Sequence, residues 1–355
     1  MLYFLIGVKW HGRGRRFELD PVHQSPSAGR ASSGGSNLEQ VLRWDEVTPL
    51  PAIKHHRIRS LVFLITTFLF AADCLAAGVA SSSQSASTTT WNIRAKPARL
   101  VNGSPVLLQV TAPFPLQSLS GTWLDHKVFF SFDSRSKTWY GIAGASLETP
   151  PGRYVLLLTG VTDTGKEVSA RRKLFVGKGK YRSVALRVPR QFTQPNPEEI
   201  QRIEQEKTLK QEIFARISPD RVWSGQFLPP VSASVSDVFG TVRTFNRKTE
   251  SVHQGLDFAV PAGTPVSALN RGTVLLARSL FFEGNCVVID HGQGLLTLYM
   301  HLSEFEVKEG NVVLRGQKLG LSGGTGRATG PHLHIAVRWQ GIYLNPVTLL
   351  SLELP

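Results

Sequence analysis

His332 and His334 stand two residues apart in Gly330-Pro-His332-Leu-His334, and that spacing constrains the fold more than any other feature. Residues i and i+2 of a β-strand project from one face, so a strand here aims both imidazoles at one point. Two further segments carry matching side chains. His253 and Asp257 lie four apart around Gly255, which permits the backbone to bend and turn both inward; His301 stands in Tyr299-Met-His301-Leu302. Of ten histidines, four precede residue 57, and four of the other six fall in these segments. A solvated surface does not concentrate histidine this way. Imidazole and carboxylate are donors of a catalytic zinc site, which takes three protein ligands and keeps a position open for water. A spare histidine beside that water can take its proton or stabilise an oxyanion. The residues point to a zinc hydrolase.

The rest of the chain reads as mainly β. Short apolar runs at Val106–Val110, Lys127–Phe132, Thr138–Ile142, Tyr154–Leu158 and Lys173–Val176 are separated by turn signals such as Asn102-Gly103 and Asp163-Thr164-Gly165. Residues 91–177 therefore predict a small β-sandwich of immunoglobulin type. His126, inside it, reads as a surface or satisfied histidine rather than a ligand. Residues 178–222 form a linker with a helix. Asn196-Pro197-Glu198-Glu199 places a capping side chain, a proline at the first position and acids at the positive end of the dipole. Ile200, Ile203, Leu209, Ile213 and Ile217 continue one stripe. Residues 223–355 turn β again and predict one compact antiparallel β domain, with strands at 266–269, 272–277, 286–290, 297–301 and 332–339.

Residues 57–80 carry a basic start, a 12-residue apolar core and a small-residue exit, the layout of a secretory signal. Residues 61–80 are also long enough for a membrane anchor, although Asp73 interrupts them. Either reading places the remainder of the chain outside the cytoplasm. Residues 1–56 read as a tail or as sequence upstream of the true start, and 81–90 as a Ser/Thr-rich spacer. The formal net charge of +14 suits nucleic acid or an anionic surface such as a cell wall. The basic residues are scattered and no nucleic-acid module is present, which sets nucleic acid aside. Cys74 lies in the signal segment, so Cys286 reads as a small core hydrophobe with no disulfide partner.

H-x-x-x-D at 253–257, Y-x-H-L at 299–302 and H-x-H at 332–334, followed by Asn345-Pro346, resemble the lysostaphin/LytM-type zinc metallopeptidases. Phe239-Gly240, Gly284-Asn285, Asp290-His291-Gly292 and the loop 323–331 extend the likeness, which covers about 223–355. The resemblance implies a β-sheet groove of the duplicated hybrid motif type and cleavage of peptide bonds in peptidoglycan stems or cross-links. It implies one Zn2+ held by His253, Asp257 and His334, with His301 and His332 as non-ligand catalytic histidines. Tyr299 would support the oxyanion or substrate, or be a half-buried strand aromatic; His291 would be structural. The loop glycines would admit backbone close to the substrate groove. An immunoglobulin-like domain before such a peptidase is a known arrangement, in which domain or linker can shield the groove, so autoinhibition is a further expectation. The alternative function is a non-catalytic regulator that activates a cell-wall amidase; such proteins typically lack zinc ligands that are all present here.

Overall fold

Alternating burial organises the chain from Asn92 onward. In Gly152–Thr162 the residues Leu156, Leu158 and Gly160 are buried and those between them are exposed, the period of a strand with one face inward. The structure, a computed structural model, describes residues 90–245 and 249–355, with only the backbone of Thr249 and Glu250. The expected tail, signal or anchor segment and spacer lie outside these residues, apart from Thr90. Among the described residues no helix is long and apolar enough to cross a membrane.

The fold is mainly β. Strands β1 (Asn92–Lys96), β3 (Pro105–Thr111), β7 (Thr138–Gly144) and β6 (Ser131–Asp133) form one sheet in that order. A second sheet has the order β2 (Leu100–Val101), β9 (Glu167–Gly177), β8 (Gly152–Thr162), β4 (Leu116–Trp123) and β5 (His126–Phe129). Leu107, Leu108 and Ile142 of the first and Trp123, Val128 and Leu156 of the second share one buried cluster. The Trp123 indole N–H donates to Gly144 O across the two sheets at 2.8 Å. Strands β1 and β4 escape the sequence reading, because Arg and Lys in one and Ser, Gly and Gln in the other dilute the apolar signal.

Strand β10 (Ser183–Leu186) pairs parallel with β12 (Val242–Phe245), which pairs with β13 (Thr249–Val252). The linker is thus hydrogen-bonded to the strands of the second half of the chain. Helix α1 (Pro197–Phe214) starts at a capping box: Asn196 Oδ1 accepts Glu199 N–H at 2.9 Å, and the Glu199 carboxylate accepts Asn196 N–H at 2.8 Å. It buries Ile203 and Ile213. The expected stripe runs too far, since the helix ends at Phe214 and Ile217 is exposed.

The remaining strands are β11 (Val235–Asp237), β14 (Leu256–Phe258), β15 (Pro265–Ser267), β16 (Gly272–Leu280), β17 (Gly284–Asp290), β18 (Leu295–Phe305), β19 (Val312–Val313), β20 (Lys318–Ser322), β21 (Leu333–Trp339) and β22 (Ile342–Leu344). They make one sheet with the central order β11-β14-β21-β18-β17-β16-β19, every pair antiparallel. A short helix α2 (Pro346–Ser351) follows. One face of the sheet carries Tyr299, Ile335, Leu256 and Val287, in the same cluster as the sandwich core. The other carries Leu298, Met300, Ala336 and Val288, covered by Ile213, Leu209 and Phe214 of α1. The junction with the sandwich is close-packed. A Cβ on Gly144 would lie 2.4 Å from Leu344. Gln340 Nε2 donates to Lys127 O at 2.7 Å, and half-buried His126 stacks on Trp339 at 5.1 Å.

Candidate active site

Strand register brings the first two groups together. Asp257 of β14 lies directly opposite His334 of β21, where cross-strand side chains share a face and touch. His334 Nδ1 is 2.7 Å from Asp257 Oδ1. His253, just past β13, places Nε2 at 3.1 Å from both Asp257 Oδ1 and His334 Nδ1. Gly255 does something other than bend the chain. Its φ is not positive, but a Cβ there would lie 2.3 Å from His334 Nε2 and 2.3 Å from Ile335 O. The missing side chain is the room for the His334 ring.

His301 arrives by a backbone irregularity. Simple alternation would put it on the face of Tyr299, away from His334, because Met300 is the residue opposite His334. Between the pairs Val287↔Tyr299 and Asn285↔Leu302, β18 carries one more residue than β17. His301 takes up this bulge with φ +63°, a left-handed conformation costly for a non-glycine residue. Bulges of this kind re-aim side chains. The His301 ring consequently lies 4.7 Å from the His332 ring and 6.0 Å from the His334 ring. His332 approaches from the start of β21, its N–H donating to Gly323 O at 3.0 Å.

Backbone carbonyls fix three of the tautomers, since they can only accept. His253 Nδ1–H donates to Val238 O at 2.9 Å, His301 Nδ1–H to Thr325 O at 2.8 Å, and His332 Nδ1–H to Gly330 O at 2.8 Å. In its neutral form each ring then presents Nε2 without a proton. The neutral His253 ring thus turns Nε2 to Asp257 Oδ1 lone pair to lone pair at 3.1 Å, a pairing that a cation seated between them would stabilise. His253, Asp257 and His334 are all buried, and their donor atoms lie within 4.8 Å of one another. Two imidazole nitrogens and one carboxylate oxygen fit a catalytic zinc ion.

Burial pulls His301 well below the ordinary imidazole range, helped by the neighbouring His332 and His334 rings. Burial also lowers His334, to about 4, against the opposing pull of Asp257. Burial alone would raise the Asp257 carboxyl; His334 and His253 outweigh it and hold it well below the usual range. At neutral pH the site contains a carboxylate and uncharged His301 and His334 rings.

A second layer is absent from the sequence reading. Asp237 of β11 lies opposite Asp257, and two facing carboxylates repel. Arg243 of β12 bridges them, bonding Asp237 Oδ2 through Nε at 2.9 Å and Nη2 at 2.6 Å, and Asp257 Oδ2 through Nη2. Arg182, just before β10, bonds Asp237 Oδ1. Burial would raise Asp237, but the two guanidinium groups hold it at about 2. Asp237 Oδ2 is also 3.3 Å from His253 Nδ1. Such outer partners orient ligand side chains. The turn after Asp237, closed by Gly240 at φ +83°, presents the Val238 carbonyl to His253. That is a physical role for the Phe239-Gly240 pair.

Tyr299 is not brought to the site. It lies fully buried on the opposite face of the sheet, the position of a strand aromatic in the core rather than of a group lining the cleft. Its oxygen accepts Leu269 N–H at 2.7 Å and lies 3.2 Å from Thr297 Oγ1, itself 2.7 Å from His291 Nε2. His291 Nδ1–H donates to Arg271 O at 2.7 Å. The network is a closed buried relay that fastens β18 to its neighbours, and burial lowers His291 to about 4. Among the glycines of the 323–331 loop, one has a packing role. Gly326, at φ +71°, packs against the β16–β17 turn, where a Cβ would lie 2.2 Å from Gly284 N.

Comparison with known proteins bears on this geometry. The model of peptidase family M23 matches residues 251–346. A peptidase M23 crystal structure from Pseudomonas aeruginosa is 30% identical, covering 71% of this chain and 96% of that one with a TM-score of 0.55. The peptidoglycan DD-endopeptidase ShyA of Vibrio cholerae is 46% identical over 108 residues, 30% of this chain and 24% of that protein. The DD-carboxypeptidase/endopeptidase Mpg of Neisseria meningitidis is 42% identical over 121 residues, 34% of this chain and 28% of that protein. The match thus spans about a quarter of the length of these curated relatives.

Proposed function

The chain belongs to peptidase family M23, and from that premise we propose that it is an exported zinc endopeptidase hydrolysing D,D-peptide cross-links of bacterial peptidoglycan. The observation that carries the reading is the convergence of His253, Asp257 and His334 beside two imidazoles whose Nε2 atoms are bare. The D,D specificity is carried over from relatives named for that activity. Peptidoglycan lies beyond the cytoplasm, so the reading assigns residues 57–80 to export or membrane anchoring.

His253, Asp257 and His334 would hold one zinc ion, which when bound supplies Lewis acidity and a more acidic water. His301, uncharged and fixed at Nδ1 by Thr325 O, presents Nε2 as a general base. A proton taken there from the attacking water is passed on to the leaving amine when the peptide C–N bond breaks. His332, its ring 4.7 Å from that of His301, presents its own Nε2 to the same cleft, where an N–H would donate to the developing oxyanion. Arg243 keeps the Asp257 carboxylate aligned through its hydrogen bond to Oδ2.

A regulator that only activated an amidase would have no need of two bare imidazoles poised beside three metal donors. The test is digestion of purified sacculi with the fragments identified by mass spectrometry. Uncross-linked peptides are expected from the native protein, and none after His334→Ala or addition of a chelator. Sacculi left intact by zinc-loaded protein would defeat the enzyme reading and favour the regulator.

A further inference from the structure

Both hydrogen bonds that hold His301 end on one small unit of backbone. Its N–H donates to Glu283 O at 2.9 Å and its Nδ1–H to Thr325 O at 2.8 Å. Glu283 is in the turn between β16 and β17; Thr325 is in the loop before His332. Turn and loop are fastened together. Arg327 N–H donates to Phe282 O at 2.8 Å, Asn285 N–H donates to Thr325 Oγ1 at 2.9 Å, and a Cβ on Gly284 would lie 2.4 Å from Thr325.

Helix α1 grips this turn from the linker. Lys210 Nζ pairs with Glu283 Oε1 at 2.6 Å, with the Glu283 side chain only 2% exposed. One turn of helix earlier, Glu206 Oε2 accepts Phe281 N–H at 2.7 Å, and Phe192, just before the helix, packs edge-on against Phe281 with ring centroids 5.3 Å apart. Buried Arg327 also lies within electrostatic reach of Glu283, but Lys210 is the cation hydrogen-bonded to it. A buried carboxylate that loses such a partner is destabilised, so the turn cannot keep its place indifferently to Lys210.

We propose that Lys210 is a positioning residue for His301, acting through Glu283, and that α1 is a working part of the active site rather than a spacer. The proposal rests on the peptidase function given above. His301 occupies a strained left-handed bulge, a conformation that persists only where surrounding contacts over-determine it. Two of those contacts run through the turn that Lys210 anchors.

The test uses the full chain with Lys210→Met, Lys210→Arg and the double variant Lys210→Met/Glu283→Gln. A misplacement of about 1 Å can cost roughly a hundredfold in rate, so Lys210→Met is expected to lower kcat roughly tenfold or more. KM and zinc content should stay within about twofold, the signature of a defect in the chemical step rather than in binding. Lys210→Arg, which keeps the charge, is expected to restore most of kcat. The double variant removes the unpaired charge together with the tie and should remain impaired.

The independent readout is solvent exchange of the His301 Nδ1 proton, followed by NMR and expected to be roughly tenfold faster in Lys210→Met if the bond to Thr325 O loosens. Wild-type kcat and exchange in a folded Lys210→Met protein would overturn the proposal. So would recovery of the double variant to wild-type kcat, which would trace the single variant's defect to an unpaired charge. If the native protein leaves sacculi intact, the peptidase reading fails and proton exchange alone decides the brace.

Discussion

Asp237 and Asp257 face one another across adjacent strands with Arg243 between them, an arrangement in which one side chain holds two like charges in place. Arg243→Leu leaves the two carboxylates opposed, so the chelated protein is expected to lose roughly 2–4 kcal/mol of stability. Adding zinc should narrow that loss, because the ion supplies positive charge at Asp257. Chemical denaturation with and without metal measures both values; equal losses would show that Arg243 is not the neutralising cation. Nothing in the sequence singles this residue out, because an arginine in a run such as Val242-Arg243-Thr244-Phe245 resembles any solvated strand residue. His253, Asp257, His332 and His334 are legible, because H-x-x-x-D and H-x-H are short-range spacings whose consequences are local. Tyr299 and His301 are not separable, since both obey the same alternation until the bulge at residue 301 sends one to the cleft and the other to the core.

Strand pairing turns those residues into a site, and it tolerates little change where a ring must pass the backbone. Gly255→Ala would place a methyl group against both the His334 ring and Ile335 O. It is expected to destabilise the protein by roughly 1–3 kcal/mol, as overpacking does, and to weaken zinc retention by displacing a ligand. Competition with a chromogenic chelator reads the second effect; unchanged zinc affinity would mean that β14 and β21 can part without moving His334. Among the elements, strands rich in branched and aromatic residues, such as β3, β8 and β21, are legible, and so is the start of α1, where Asn196 and Glu199 cap each other. Strands β12, β14, β20 and β22 are not, being three to five residues long and defined by their partners rather than by their own pattern.

At the scale of the whole molecule, buried histidine couples stability to pH. Burial lowers His291 to about 4, so between roughly pH 6.5 and 4 the unfolded chain takes up a proton that the folded chain refuses. Its contribution is complete above that window and is lost as pH falls through it, the loss amounting to roughly 3 kcal/mol by the acid end. Denaturation of chelated protein at pH 7 and 4.5 should show a smaller drop for His291→Gln than for the native chain; equal drops would place the acid sensitivity elsewhere. The larger question is what the sandwich and linker do for the sheet that carries the site. Shielding of the groove, as domain order suggests, predicts that a 223–355 fragment is more active than an 81–355 protein. The contacts argue for the reverse. Removing the first part would uncover the face of the sheet where Gly144 packs on Leu344 and His126 on Trp339. It would also remove β10 from beside β12, with Arg182 taken from Asp237, and take Lys210 from buried Glu283. Turnover of the fragment is expected to fall roughly tenfold or more relative to the longer protein, by the same loss of positioning that Lys210→Met tests. The comparison is made on sacculi at equal zinc loading, with circular dichroism confirming that the fragment has folded. A folded fragment with higher turnover would establish shielding and make the linker a cover; one with lower turnover makes it part of the scaffold that aims His301.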